Sequence, residues 1–268
     1  MTALTVDGAN LVAVSGFSLL AVVVLMVATA LEGRRQGRVS VVDTTWGLGF
    51  VVVAGVAAVV GDGPGWRRVA LVLVVAVWGL RLAWHVTRRN AGKGEDPRYA
   101  EILAEAQGNP TWVAIRKVYL VQGVSLWFVS LPIQVSAAAG PGSSAVAVVG
   151  LLVWGMGLTF EAVGDAQLKA FKVDASNQGK VMDRGLWSWT RHPNYFGDSC
   201  VWWGIYLVAA SAWPGILTVL SPVVMTYFLV FATGARLLEK HMGERPGYAQ
   251  YRERTSYFLP RPPKKTNA

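Results

Sequence analysis

Seven apolar segments, each about 17 to 24 residues long, alternate with polar segments along the chain. An apolar helix of about 20 residues spans the hydrocarbon core of a bilayer. The pattern therefore predicts an all-α, polytopic membrane protein with about seven transmembrane helices. The predicted helices cover residues 11–31, 39–60, 69–87, 113–136, 146–163, 195–211 and 216–238.

Glycine and proline mark the breaks between these helices. Turns are predicted at GDGPG (61–65), AAAGPGSS (137–144) and AWPG (212–215). Pro132 predicts a kink inside the fourth helix. The long polar segment 88–110 predicts a short surface helix, and Pro97 suits its first residue.

The composition supports a membrane protein. Hydrophobic residues make up 53% of the chain and charged residues only 15%, against about 25% charged in soluble domains. A single cysteine, Cys200, excludes an internal disulfide framework. The first apolar segment has spanning length and is followed by Arg34, Arg35 and Arg38, so it is predicted to be a true first helix and not a cleaved signal peptide.

The net charge of +9 indicates topology and not nucleic-acid binding. With the N-terminus outside, most of the 25 Lys and Arg fall in the inner loops and the C-terminal tail, which is the positive-inside pattern. We therefore expect an integral protein of the cell membrane with a cytoplasmic tail. The candidate polar groups would then share one cytoplasm-facing cavity. The sequence assigns no oligomeric state.

The segment Arg184–Trp203 concentrates polar groups between two apolar segments. Its candidate residues are Arg191, His192, Asn194, Tyr195 and Asp198. Pro193 is expected to start a helix, which places Asn194 and Asp198 on one face. That helix start favours anionic groups such as phosphates. The alternative is a polar helix start anchored at the interface by aromatic residues.

The upstream segment EAVGDAQLKAFK (161–172) places Glu161, Asp165, Lys169 and Lys172 on one helical face. A solvated face with ion pairs is the alternative. Because this segment leads into the Arg184–Trp203 segment, we favour lysines that bind phosphates and carboxylates that bind ribose hydroxyls.

The tail offers a third group of candidate cofactor-binding residues, which are Arg236, Glu239, Tyr248, Tyr251 and Arg252. Tyr248, Tyr251 and Arg252 are predicted on a second short helix after the last span. The segment equally suits a basic, aromatic interfacial anchor, and both interpretations stay open.

Ionisable residues inside predicted spans usually face a cavity or each other. Asp43 begins the second helix, and Arg81 and His85 lie near the end of the third. A structural Asp43–Arg81 ion pair is one interpretation; Asp43 and His85 together would make acid chemistry plausible. The motif EDPRY (95–99) is predicted to be an ion-pair cluster that orders its loop. The three histidines form no metal motif, and no GxGxxG follows a strand.

Three motifs resemble one known family. They are RGLWSWTRHPNYFGDSCVWWG (184–204), GMGLTFEAVGDAQLKAFK (155–172) and EKHMGERPGYAQYRERTSYFLP (239–260). Together they resemble the bacterial steroid 5-alpha-reductase-like family, grouped as DUF1295 with the 3-oxo-5-alpha-steroid 4-dehydrogenase C-terminal domain. The resemblance covers about residues 43–263.

The resemblance implies a seven-helix enzyme that binds NADPH and reduces a carbon–carbon double bond conjugated to a ketone. The family's cofactor aspartate falls on Asp165 and its basic partners on Lys169 and Lys172. Its asparagine falls on Asn194, its second acid on Asp198 and its tryptophan on Trp202. Arg191, His192 and Tyr195 join the expected cofactor contacts.

The substrate-polarising residues depart from the family pattern. The family carboxylate, a glutamate in steroid enzymes, falls on Asp43, and the family tyrosine falls on His85. The resemblance implies one membrane domain over residues 1–268, with 11–136 on the substrate side and 146–263 binding the cofactor.

The sequence thus predicts an NADPH-dependent reductase of an unsaturated lipid ketone, such as a 3-oxo-4-ene steroid. Arg191-His192-Pro193 also resembles the RHP motif of isoprenylcysteine carboxyl methyltransferases, so an enzyme that uses S-adenosylmethionine is the alternative. A non-enzymatic membrane assembly or lipid-binding protein is a third interpretation.

Overall fold

The computed structural model describes residues 6–104, 108–232 and 234–264, apart from the side chain of His241. The regular elements in these ranges are helices, joined by isolated turns and one parallel bridge between Thr190 and Ser256. The α-helices are α1 (Gly8–Gln36), α2 (Val41–Val60), α3 (Gly65–Asn90), α4 (Pro97–Ala104), α5 (Pro110–Ala114), α6 (Leu120–Val129), α7 (Leu131–Ala138), α8 (Ser144–Val173), α9 (Leu186–Trp189), α10 (Pro193–Ala210), α11 (Leu220–Tyr227), α12 (Ala235–Met242) and α13 (Tyr248–Arg254). Ile115–Tyr119 and Phe228–Ala232 are π-helical, and Ala175–Asn177 and Gly215–Val219 are 3-10 turns.

The helical membrane architecture is confirmed, with fewer spans than predicted. In the described ranges, five helices are long and apolar enough to cross a bilayer, or six if the bent α5–α7 segment is one span. The five are α1, α2, α3, α8 and Gly215–Lys240. The remaining predicted span is α10, which has 18 residues. Its first turns contain Asn194 and Asp198, which lower its mean hydropathy.

The chain forms two compact units. Unit 1 contains Met1–Ala147 and Val208–Ser221, and unit 2 contains Val148–Leu207 and Pro222–Ala268. The predicted halves, 11–136 and 146–263, differ from these units at Val208–Ser221, which belongs to unit 1, and the roles given to the halves stay predictions. Ser143 N donates to Ser211 O at 2.7 Å, which ties that segment to unit 1.

In unit 1, α2 and α3 pack antiparallel, as their short turn predicts. Thr44 and Thr87 share a hydrogen bond of 3.3 Å between their hydroxyls at one end. Further along, the rings of Phe50 and Trp78 lie 5.7 Å apart, and both side chains are fully buried. The start of α2 and the end of α3 therefore lie close together.

The kink predicted at Pro132 is confirmed. The segments Pro110–Val129 and Leu131–Ala138 meet at 41°, because proline lacks the N–H that continues a helix and its ring crowds the preceding turn. The fully buried Gln134 compensates for this break: its Nε2 donates to Trp127 O at 2.9 Å and to Ser130 Oγ at 2.7 Å. Such side-chain bonds satisfy backbone groups that water cannot reach.

One charged residue lies elsewhere than predicted. Arg67 precedes the predicted third helix (69–87) and so falls in a predicted outer loop, but α3 begins at Gly65, and the Arg67 side chain is fully buried. Its guanidinium donates to the carbonyls of Ser136 and Gly140, at 3.1 and 2.8 Å, and to Ala139 O. These bonds satisfy carbonyls at and just beyond the end of α7, because the last carbonyls of an α-helix have no partners within the helix.

Candidate functional site

Close packing of α8 against α10 organises the candidate site in unit 2. A Cβ on Gly157 would lie 2.6 Å from both Gly197 O and Val201 N, so only glycine permits this approach. Gly164 lies one heptad further along α8, where a Cβ would be 3.2 Å from the Pro193 ring. The glycines therefore bring the polar end of α8 onto the first turn of α10.

This packing pairs two of the predicted cofactor residues. Asn194 Nδ2 donates to Asp165 Oδ1 at 3.3 Å, across 29 residues of sequence. Asn194 Oδ1 is buried and accepts no hydrogen bond from the described part of the chain. A buried acceptor left unsatisfied costs about 1–3 kcal/mol. The position therefore favours a ligand that brings an N–H group.

Two further acids lie near this pair. Glu161 is 3% exposed on α8, and Asp198 is 7% exposed on α10, one turn after Asn194. Trp202, the next residue on that face, is fully buried. Asp198 and Trp202 on this predicted face are thus shielded from solvent, and Asn194 is half-buried.

The predicted phosphate lysines lie on an extension of α8. The apolar pattern predicted that this helix would end at residue 163, but it continues to Val173. Lys169 and Lys172 are therefore helical, as their spacing predicted, and both are exposed. Arg236 on α12 and Arg252 on α13 are exposed as well, so all four side chains are accessible to solvent.

Arg191 has partners that the sequence did not indicate. It is 8% exposed, and its Nε donates to Glu239 Oε1 at 2.7 Å. Its Nη1 donates to the carbonyls of Arg252 and Thr255 at 2.9 and 3.0 Å. The guanidinium thus fastens the tail to the start of α10, whereas the prediction gave it phosphates. A phosphate contact of Arg191 stays a prediction.

Glu239 is the centre of this arrangement. Its Oε1 also lies 3.1 Å from His192 Nε2 and accepts from Tyr248 OH at 2.7 Å. His192 is 3% exposed, and its ring stacks on Tyr195 with centroids 5.8 Å apart. We call Arg191, His192, Glu239 and Tyr248 the tail clamp. Its members were predicted to contact a cofactor, and the structure brings them together around a carboxylate.

The two tail tyrosines are buried hydrogen-bond donors. Tyr251 OH donates to Trp187 O at 2.6 Å. Burial raises the pKa of Tyr251, and burial followed by the bond to Glu239 raises the pKa of Tyr248. Both phenols are therefore protonated at neutral pH. Of the two interpretations of the tail, an exposed aromatic anchor does not fit these positions.

In unit 1, Asp43 binds two residues of the EDPRY motif. Arg98 Nη2 donates to Asp43 Oδ2 at 2.9 Å, and Tyr99 OH donates to Asp43 Oδ1 at 2.5 Å. Asp43 was predicted to pair with Arg81 or His85. One cation that Asp43 contacts is Arg98, which lies 55 residues away in sequence; the pairing with Arg81 stays a prediction. EDPRY thus forms an ion-pair cluster, as predicted. Asp43, the candidate catalytic carboxylate, is part of the same cluster.

Tyr99 is the functional candidate that the sequence analysis missed. It is 6% exposed, and burial together with the neighbouring Asp43 raises the pKa of its phenol. Its hydroxyl therefore stays protonated and can act as a hydrogen-bond donor. The sequence signal that could have found it is the position of Tyr99 beside Arg98, two residues after Pro97, in the charged motif EDPRY at the start of α4.

His85 lies half-buried on α3, two residues before Thr87. The Thr44–Thr87 contact brings this end of α3 to the start of α2, where Asp43 lies. The predicted proximity of these helix ends is thus confirmed, while a shared catalytic role of Asp43 and His85 stays a prediction.

In the described ranges no group of three or more His, Cys, Asp or Glu side chains could hold a metal ion. The candidate residues instead fall into two groups, the Asp43 group of unit 1 and the Asp165–Asn194 group of unit 2. The single cavity expected to contain both stays a prediction.

Comparison with known proteins gives one broad match. No solved structure matches the chain. The Uncharacterized protein C594.04c of Schizosaccharomyces pombe is 32% identical over 93 residues, which are 34% of this chain. The chain spans about a quarter, 27%, of the length of that relative. The family model described as "Protein of unknown function (DUF1295)" matches residues 18–255. Since that match runs from α1 to the end of α13, the protein belongs to the DUF1295 family, the family that its motifs resembled.

Proposed function

We propose that this protein is an NADPH-dependent reductase of a carbon–carbon double bond conjugated to a ketone in a lipid or steroid-like substrate. The observation that carries the proposal is the Asp43–Tyr99 hydrogen bond of 2.5 Å. It presents a buried, protonated phenol held by a carboxylate. Such a donor suits the oxygen of a conjugated ketone, where negative charge develops during reduction.

The cofactor end of the proposal rests on unit 2. The unsatisfied Asn194 Oδ1 would accept from an amide or amino group of the cofactor, while Asp165 would accept from a ribose hydroxyl. The exposed Lys169 and Lys172 would bind phosphates as mobile point charges. NADPH, when bound, would supply the hydride. The residues present therefore fit a nucleotide with an amide or amine and several phosphates.

The tail clamp supports a different role for Arg191 from the one its motif implied. With Nε and Nη1 engaged inside the protein, Arg191 would hold the segment that begins α10 and so fix the position of Asn194. His192 and Glu239 would act with it. Binding energy at Asn194 would then depend on the clamp without direct contact between Arg191 and phosphate.

At the substrate end, each residue of the Asp43 group has a proposed task. Asp43 would hold the Tyr99 hydroxyl in place until substrate binds, and Tyr99 would then turn its single hydroxyl hydrogen from Asp43 to the ketone oxygen. Arg98 would keep the Asp43 carboxylate compensated when Tyr99 turns to the substrate, because the two are 2.9 Å apart. His85 remains the second candidate donor, on the neighbouring helix end.

Asn194→Ala and Asp165→Ala should each weaken NADPH binding by about 2–5 kcal/mol, since each removes one protein partner of the proposed buried contact with the cofactor. Titration of the purified protein in detergent, followed by energy transfer from tryptophan to NADPH, measures this change. Glu253→Ala, at an exposed position of α13, is the matched control and should bind as the parent does. Parent-like affinity in both test variants would place the cofactor elsewhere.

Lys172→Ala should weaken NADPH binding roughly tenfold while changing NADH binding little, because a charged hydrogen bond to a 2′-phosphate would be lost. Lys180→Ala, an exposed lysine beyond α8, is the control. The two dissociation constants are measured side by side. Equal losses for the two cofactors would remove this assignment, and tighter binding of S-adenosylmethionine than of either would favour the methyltransferase.

A further inference from the structure

The segment Lys93–Tyr99 lies across the start of α2 and is fastened there by a carboxylate. Glu95 Oε1 accepts from Ser40 N at 3.0 Å, and Glu95 Oε2 accepts from Val39 N. The same Oε1 accepts from Asp96 N at 2.9 Å. We call this segment the strap.

The start of α2 depends on this contact. Ser40 is the N-cap residue, and its own side chain makes no capping hydrogen bond. The first N–H groups of a helix have no intrahelical acceptors and are normally capped by a nearby side chain. Here Glu95, which lies 55 residues further along the chain than Ser40, accepts from the N–H of this N-cap residue and from the N–H of Val39 before it. A carboxylate also suits the positive end of the helix.

The strap is rigid between Glu95 and Tyr99. Asp96 Oδ1 accepts from Arg98 N at 3.0 Å and from Arg98 Nε at 2.9 Å, and Asp96 O accepts from Tyr99 N at 3.0 Å. Burial opposes ionisation of Asp96, but the hydrogen bonds from Arg98 outweigh it and lower the pKa of that carboxyl. Asp96 is therefore ionised at neutral pH and keeps this turn closed.

The strap contacts the start of α2 at two points. Glu95 accepts from Ser40 N, and Tyr99, four residues later in the strap, donates to Asp43, which is three residues after Ser40. Lys93 adds a third attachment, because its carbonyl accepts from Arg38 Nη1 at 2.9 Å. The position of the Tyr99 hydroxyl on Asp43 is thus set by where Glu95 holds the strap.

We propose that Glu95 is a positioning residue that holds the Tyr99 hydroxyl on Asp43 by capping α2 from the strap. The geometric part stands on these contacts alone, and the effect on turnover rests on the proposed reductase function. Glu95 itself touches backbone N–H groups and acts through Tyr99.

Glu95→Gln tests the proposal, since an amide offers one acceptor oxygen in place of two and turns an NH2 toward backbone donors. The full-length protein is labelled with ¹³C at the tyrosine ring carbon bearing oxygen, and the Tyr99 resonance is assigned from its loss in Tyr99→Phe. In the parent, Tyr99 should titrate above the ordinary value of 10.0. In Glu95→Gln it should shift down by about one pH unit or more, toward a solvated phenol.

Glu101→Gln, an exposed glutamate on α4, is the matched control and should leave the Tyr99 titration unchanged. Glu95→Asp is the second variant if Glu95→Gln does not fold, because it keeps the charge but withdraws the oxygens from Val39 and Ser40. It should shift Tyr99 in the same direction. An unchanged Tyr99 titration in a folded Glu95 variant would overturn the proposal.

Turnover separates the two layers of the proposal. With a conjugated ketone, Glu95→Gln should lower kcat by about ten- to hundredfold, as loss of orientation does, with little change in KM for NADPH. If Glu95→Gln shifts the Tyr99 titration but the parent protein shows no reductase activity, the proposed function is refuted and the positioning role is kept. A parent-like kcat together with a shifted resonance would overturn the role in turnover.

Discussion

Asp43→Asn and Tyr99→Phe should each lower turnover of a conjugated ketone by about 10²–10⁴-fold, the usual effect of losing a general acid or its partner. Each change keeps the shape of the side chain: Tyr99→Phe removes the donor of the 2.5 Å hydrogen bond, and Asp43→Asn removes the negative charge of its acceptor. NADPH affinity should stay close to that of the parent, because the proposed function gives both residues a contact with the substrate and none with the cofactor.

The measurement is steady-state reduction by the detergent-solubilised protein, with NADPH binding determined separately. Tyr227→Phe and Asp62→Asn, at exposed positions, are the matched controls. The double variant should be no slower than the slower single variant if Asp43 and Tyr99 act as one unit. Full activity in Asp43→Asn would contradict the proposed chemistry.

His85→Ala distinguishes the two candidate donors within the same assay. If Tyr99 donates, His85→Ala should retain much more activity than Tyr99→Phe. The reverse order would restore the donor that the sequence indicated. The comparison is meaningful because the Thr44–Thr87 contact brings the end of α3, with His85, to the start of α2, where Tyr99 binds Asp43.

Arg191→Met should destabilise the protein by about 3–5 kcal/mol, since it removes one partner of a buried ion pair and leaves Glu239 with a buried charge. The change also removes two hydrogen bonds to tail carbonyls, those of Arg252 and Thr255. Unfolding of the detergent-solubilised protein with temperature or denaturant measures the loss. NADPH binding should weaken as a consequence of instability.

Arg254→Met provides the matched control, because the Arg254–Asp183 pair joins the same tail but is 40% and 32% exposed. Exposed ion pairs contribute about 0–1 kcal/mol, so this variant should unfold almost as the parent does. The contrary result is specific as well. An Arg191→Met variant of parent-like stability would contradict the stabilising role of the tail clamp, and unequal losses of NADPH and NADH binding in that variant would favour a direct phosphate contact of Arg191.

Helices that follow from local chemistry were predictable from the sequence. Long apolar segments become helices in a bilayer because every backbone group must be satisfied within the segment. Pro97 and Pro193 start α4 and α10, and Pro132 bends the α5–α7 segment, because proline acts on its own turn. Hydropathy was a poorer guide to helix length. The helix predicted from hydropathy ended with the last apolar residues at 163, whereas α8 continues through a polar segment to Val173.

The composition of the candidate site was likewise visible in the motifs, but its partnerships were not. Helical spacing placed Asp165 with its lysines and Asn194 with Asp198, since residues three or four apart share a face. Tyr99 reaches Asp43 across 56 residues, and Arg191 reaches Glu239 across 48. No local pattern distinguishes these partners from other residues of the same type. They meet because the strap is held on α2 and the tail on the start of α10, and those contacts arise only when the helices pack.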